Sequence, residues 1–241
     1  AELQELLATR RSKFWSWHRF GAEALVRQGL WEAAIAFAES VRDTANSPYE
    51  DRSIDRFCED LLIRHGRSNE AYRRYGLVAA GGTTNLATFR ALTKQYPDRD
   101  RRQTLIDLIK TRGDKGKWFA AAKDAGFLDI ALECAELSGV DPSTLVRAAR
   151  DFCDKEPRFA AVVGLLAIRH LLAGGGYDPQ VSEAADAATH LLGAARQIGA
   201  VDWARAELGK LADGPCSSER QLFRHAVEVA LARDIAGNLK A

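Results

Sequence analysis

Four cysteines and five histidines are the residues that most readily do chemistry. Cys58, Cys134, Cys153 and Cys216 are 76, 19 and 63 positions apart, with no C-x-x-C pair. Zinc sites draw on Cys or His pairs a few residues apart. The spacing therefore predicts reduced, buried thiols and no metal. His18, His65, His170, His190 and His225 contain no pair at the four-residue step that sets two imidazoles on one helix face. G-x-S-x-G, a P-loop and H-E-x-x-H are all absent. Gly174-Gly175-Gly176 follows a helical pattern and not a strand, so it reads as a break and not a phosphate cradle. Gly81-Gly82-Thr83-Thr84-Asn85 enters a helix, where free N–H groups can meet an anion or a capping side chain. The cap is the expectation. No cofactor signature is present, and the residues read as those of a binding protein before those of an enzyme.

Charged and aromatic groups are the other candidates. Residues 1–120 hold 21 basic and 16 acidic side chains, and residues 121–241 hold 13 and 17. Residues 90–117 alone carry nine basic against four acidic, among them Arg90, Lys94, Arg101, Arg102 and Lys117. Such a stretch fits either a polyanion or a solvated helix face. The whole chain has a net charge of +1, which argues against a dedicated nucleic-acid binder. In 10–20, Phe14, Trp17 and Gly21 with Ala24 and Leu25 make a core stripe. Trp15 and Arg19, with Arg11, form a second stripe. It either stacks on a ligand or, as expected, packs Trp15 under Leu3, Leu6 and Leu7.

The elements that carry these groups are helices. Of 241 residues 46% are hydrophobic and 28% charged, which excludes a disordered chain. The longest apolar run, 159–168, is too short to span a bilayer. The first residues, AELQELLATRR, are unlike a signal peptide. A soluble, cytoplasmic protein is expected, and the excess of Arg over Lys points to a bacterial source. The sequence contains no methionine. Apolar residues recur at three and four with Gly, Pro and Asn at short intervals, giving about fourteen helices. They run from 2–8, 12–28, 31–45, 48–64, 68–78 and 85–95 through 101–111, 117–125, 127–137 and 142–154 to 157–173, 180–198, 202–212 and 218–239.

Several helix starts share one form. Gly29-Leu30-Trp31-Glu32-Ala33-Ala34 with Phe37 and Gly66-Arg67-Ser68-Asn69-Glu70-Ala71 with Tyr75 are two cases. Gly126-Phe127-Leu128-Asp129-Ile130-Ala131 and Gly199-Ala200-Val201-Asp202-Trp203-Ala204 are two more. Glycine suits a tight hairpin and alanine a close crossing. These stretches resemble the second helix of tetratricopeptide repeats, and Asn46-Ser47-Pro48 and Val140-Asp141-Pro142 resemble the links between repeats. RRSKFWSWHRF, ATFRALTKQYP and GKWFAAAKDAGF are also similar to an uncharacterised bacterial family of helical-repeat proteins. The resemblance implies an all-α fold: a right-handed α-solenoid of about six degenerate helix hairpins plus a terminal helix. It would be one domain over 1–241, with a sub-boundary at 174–177.

In such a stack the first helices line a concave groove. The resemblance places Arg90, Lys94, Lys117, Arg147 and Arg150 there, with Trp118 as either an aromatic anchor or a core residue. The function expected is a scaffold binding a protein or peptide. The alternatives are nucleic-acid or polyanion binding through 90–117 and an enzyme whose site forms only on folding. Dimerisation through Trp15 or the last helix stays open.

Overall fold

A computed structural model describes residues 14–42, 48–137, 139–215 and 217–238. All the regular structure among the described residues is helical, with no strand among them. No helix among them is long and apolar enough to cross a membrane. The expected helix at 2–8, with Leu3, Leu6 and Leu7, and the thiol of Cys216 lie outside the described residues. The chain forms two compact units, Ala1–Gly113 and Asp114–Ala241. The glycine run at 174–176 falls inside the second.

The first unit holds α1 (Trp15–Arg27), α2 (Trp31–Arg42), α3 (Pro48–Arg64), α4 (68–79), α5 (Asn85–Gln95) and α6 (Arg101–Arg112). α4 is interrupted by a π-turn at Tyr72–Gly76, between Ser68–Ala71 and Leu77–Ala79. α1 packs on α2, α2 on α3, α3 on α4, α4 on α6 and α5 on α6, and α1 also touches α3. Ile54, Leu62, Tyr72, Phe89, Leu92, Leu105 and Leu108 are fully buried among them. Each such side chain contributes roughly 2 kcal/mol by leaving water.

The second unit begins with a 3₁₀ turn, Lys115–Trp118, entered through Gly113 and Asp114 at φ of +68° and +51°. It holds α7 (Phe119–Asp124), α8 (Leu128–Ala135), α9 (Pro142–Phe152), α10 (Pro157–Leu172), α11 (Val181–Gln197), α12 (Val201–Asp213) and α13 (Gln221–Asn238). α10 is apolar almost all round and packs on α8, α9, α11, α12 and α13. Small residues bring its neighbours close. Ala184, Ala187, Ala188, Ala194 and Ala195 of α11 are buried, and Gly164 of α10 faces the Ala187 carbonyl and Leu191. Asp234 of α13 is buried and accepts hydrogen bonds from Arg196 of α11 and Arg205 of α12.

The hairpin glycines stand where the sequence places them. Gly29, Gly66, Gly126 and Gly199 adopt φ between +67° and +87°, a region that favours glycine. Each closes the preceding helix with two crossed backbone bonds, for example Gly29 N–H to Val26 and Leu30 N–H to Leu25. Thr84 caps α5 by accepting from the Ala87 N–H at 3.1 Å, so the glycine–threonine segment before α5 is spent on its own helix.

α1 differs from expectation. Its buried row is Trp15, His18, Gly21, Ala22 and Leu25, whereas Phe14 and Trp17 are half-exposed. Two aromatic stripes compete in this helix. The one containing Trp15 wins because it meets Phe57 of α3 edge-to-face, ring centres 5.2 Å apart.

Candidate functional site

The thiols are placed for structure. Burial first, and the nearby Glu39 carboxylate second, push Cys58 up to about 12. Burial pushes Cys134 to about 11, and Cys153 is also raised by burial. A thiol held protonated is a poor nucleophile and a poor metal ligand. No three metal-ligating side chains cluster among the described residues.

The unit 1 interior carries polar pairs instead. The Tyr72 hydroxyl donates to Asp107 at 2.8 Å, Tyr75 to Glu39 at 2.5 Å and Tyr96 to Glu59 at 2.6 Å. Arg74 reaches Glu39 at 2.8 Å and Arg67 reaches Glu32 at 3.0 Å. These five bonds join residues 35, 36 or 37 positions apart. In the second unit His170 meets the Ala135 carbonyl 35 positions away, and Arg169 reaches Glu207 across 38. The tyrosine pairs and the His170 bond satisfy groups that burial would otherwise penalise, whereas Arg67–Glu32, Arg74–Glu39 and Arg169–Glu207 are exposed ion pairs.

Among the residues expected to bind, Arg90 and Lys94 lie one turn apart on the exposed side of α5. Lys117 is exposed and pairs with Asp114 at 2.5 Å. Trp118 is 2% exposed, the core position and not the anchor position, so it has no face to offer a ligand. Its 3₁₀ turn packs on α7 and α8, where a large aromatic is more readily buried than displayed.

Arg147 and Arg150 are brought together. With Ser143 and Val146 of α9 they form one wall of an open groove of about 390 Å³, and Glu183, Asp186 and His190 of α11 form the other. One wall is thus cationic and the other anionic. Thr144 holds Arg147 at 3.0 Å and Asp151 holds Arg150 at 2.9 Å, so both guanidiniums keep donors for a ligand. Burial pulls His190 below its usual value, against the opposing charge of Asp186.

The basic stretch is dispersed. Arg99 lies 3.7 Å over the Tyr72 ring and donates to Asn69 at 3.0 Å. Arg101 sits over Phe89. Arg112 reaches the carbonyls of Leu77 (3.2 Å), Val78 (3.1 Å) and Ala80, closing the end of α4. Lys115 and Lys117 belong to the other unit.

A further groove has no counterpart in the sequence motifs. About 570 Å³ lies between α1 and α3, lined by Arg19, Glu23 and Arg27 on one side and Arg56, Asp60 and Arg64 on the other. Its sequence signal is arginines and acids at four-residue steps, which the aromatics of 14–20 overlie on α1. Smaller grooves lie between α3 and α5 and between α11 and α13. Comparison with protein-family models, with curated proteins and with solved structures finds no match to this chain.

Proposed function

We propose that the chain is a helical-hairpin repeat scaffold, resembling tetratricopeptide repeats, that binds a protein or peptide segment in grooves between alternate helices. The recurrence of these grooves carries the reading. They lie between α1 and α3, α3 and α5, α9 and α11, and α11 and α13, each open to solvent and each including charged side chains in its lining. A small-molecule pocket is enclosed, and none of these four is. The packing order supports the repeat. α9 touches α10 and α11, α11 touches α12 and α13, and α10 touches α12, so alternate helices are neighbours. Side-chain bonds across about 35 positions are what stacked hairpins of that length would produce.

Binding would then rest on guanidinium contacts and on a segment laid along the helices. A photo-crosslinking amino acid placed at position 64 or 150, in a groove, and at position 73, outside it on α4, tests this in the cells that make the protein. Discrete protein adducts from the groove positions alone are expected. Equal adducts at all three positions, or none at any, would refute the scaffold.

A further inference from the structure

α1 and α3 carry one charge pattern twice. Arg19, Glu23 and Arg27 fall four residues apart on α1, and Arg56, Asp60 and Arg64 stand 37 positions further on, on α3. Four-residue steps keep each triplet on one stripe, and both triplets line the groove of about 570 Å³, although Arg56 and Asp60 also line the smaller groove between α3 and α5, where the Arg56 guanidinium lies beside Gly81. The triplets differ in how their charges are used. On α1 Glu23 lies between Arg19 at 2.8 Å and Arg27 at 3.8 Å. On α3 neither Arg56 nor Arg64 has a carboxylate within 4.0 Å among the described residues. Eight residues of helix set their Cα atoms about 12 Å apart along α3, at roughly 1.5 Å per residue.

We propose that this groove holds an acidic polypeptide segment, a reading that rests on the scaffold function above. Two carboxylates of the segment pair with Arg56 and Arg64, each a charge-assisted contact. At roughly 3.3 Å per residue, a span of about 12 Å calls for acids about four positions apart in an extended chain. An even step also points both acids to the same side. Glu23 and Asp60 accept N–H groups of the segment's backbone between those acids. An apolar residue of the segment lies over Val26 and half-buried Phe57. The interleaved carboxylates favour polypeptide over nucleic acid. A polynucleotide backbone presents phosphate after phosphate to Glu23 and Asp60, whereas a polypeptide brings donors.

The test is selection of displayed random peptides, each long enough to cross the groove, on the full chain at low salt. Fluorescence polarisation then compares wild type with Arg56→Gln/Arg64→Gln and with Arg147→Gln/Arg150→Gln. A labelled single-stranded oligonucleotide is measured alongside. Enriched peptides with paired acids four apart are expected, weakened about tenfold or more by the change at 56 and 64. The change at 147 and 150 should leave their affinity intact. Enriched peptides without paired acids, or indifferent to 56 and 64, overturn the acidic groove and leave the scaffold standing. If no peptide is enriched, both readings fall. If the oligonucleotide binds, weakens with the change at 56 and 64 and displaces the peptides, the groove belongs to phosphate chains and the proposal is lost. Should the double variant melt early, Arg56→Lys/Arg64→Lys and the single Arg64→Gln give the same readout.

Discussion

The Tyr96 hydroxyl donates to Glu59 at 2.6 Å across 37 positions of sequence, joining α3 to the end of α5. Glu59 is buried, and burial raises its carboxyl above the usual range despite the bonds from Tyr96 and Gln95. A carboxyl whose folded pKa exceeds its unfolded one favours folding most when protonated, and its contribution weakens as pH rises through the folded value. Glu59→Gln keeps an acceptor for Tyr96 and removes the charge. It should stabilise the protein at neutral pH, with the gain shrinking on acidification. Urea melts at the two pH values check this, and a less stable variant at neutral pH would count against it.

Glu39 predicts the opposite sign. Burial pushes it up, but hydrogen bonds from Tyr75 and Arg74 outweigh burial and hold it below the usual carboxylate value. A depressed carboxyl contributes stability above its unfolded pKa and loses it as pH falls through the folded value. Tyr75→Phe should cost about 1 kcal/mol at neutral pH. The penalty should fade in acid, as read by denaturant unfolding at each pH.

Two glycines should respond in opposite directions to alanine. A Cβ at Gly82 would stand 2.7 Å from the Thr88 backbone nitrogen and 2.8 Å from the Ala87 Cβ, so the entry to α5 must move. Gly82→Ala should destabilise by about 2 kcal/mol. At Gly209 in α12 a Cβ meets nothing within 4 Å. Gly209→Ala should stabilise by up to about 1 kcal/mol through helix propensity. Thermal melts of the two variants side by side decide it.

Asp234→Ala removes the acceptor shared by Arg196 and Arg205. Arg196 is half-exposed and can be rehydrated, so a loss of about 2 kcal/mol is expected, below that of a fully buried pair. Hydrogen exchange should show α13 losing protection before α10. Unchanged protection in α13 would mean that its apolar contacts alone hold it.

Helix type and the hairpin turns were legible, because glycine at a left-handed position leaves a local mark and Gly29, Gly66, Gly126 and Gly199 each sit at one. The face of α1 was not legible. Phe14, Trp15 and Trp17 offer two stripes of similar hydrophobicity, and residues far along the chain, Phe57 against Trp15 and Phe37 against His18, choose between them. The π-turn in α4 has no local sequence signature, and at its end Gly76 lies against Glu59 and Tyr96, whose oxygens are 3.0 Å from where a Cβ would be. Arg147 and Arg150 were visible as a pair on one helix face. Their counterparts Glu183, Asp186 and His190 were not, because they arrive on α11 from beyond α10.

The bonds that tie one helix pair to the next span about 35 residues, as from Tyr72 to Asp107 or His170 to Ala135. Loop closure over such distances is entropically mild, since its cost grows only with the logarithm of length. On the repeat reading proposed above, folding starts at more than one hairpin and spreads to its neighbours, with little waiting for distant segments to meet. Acceleration follows from stabilising whichever hairpin forms first, so a mutation scan of refolding rates should find its large effects clustered within a few adjacent helices.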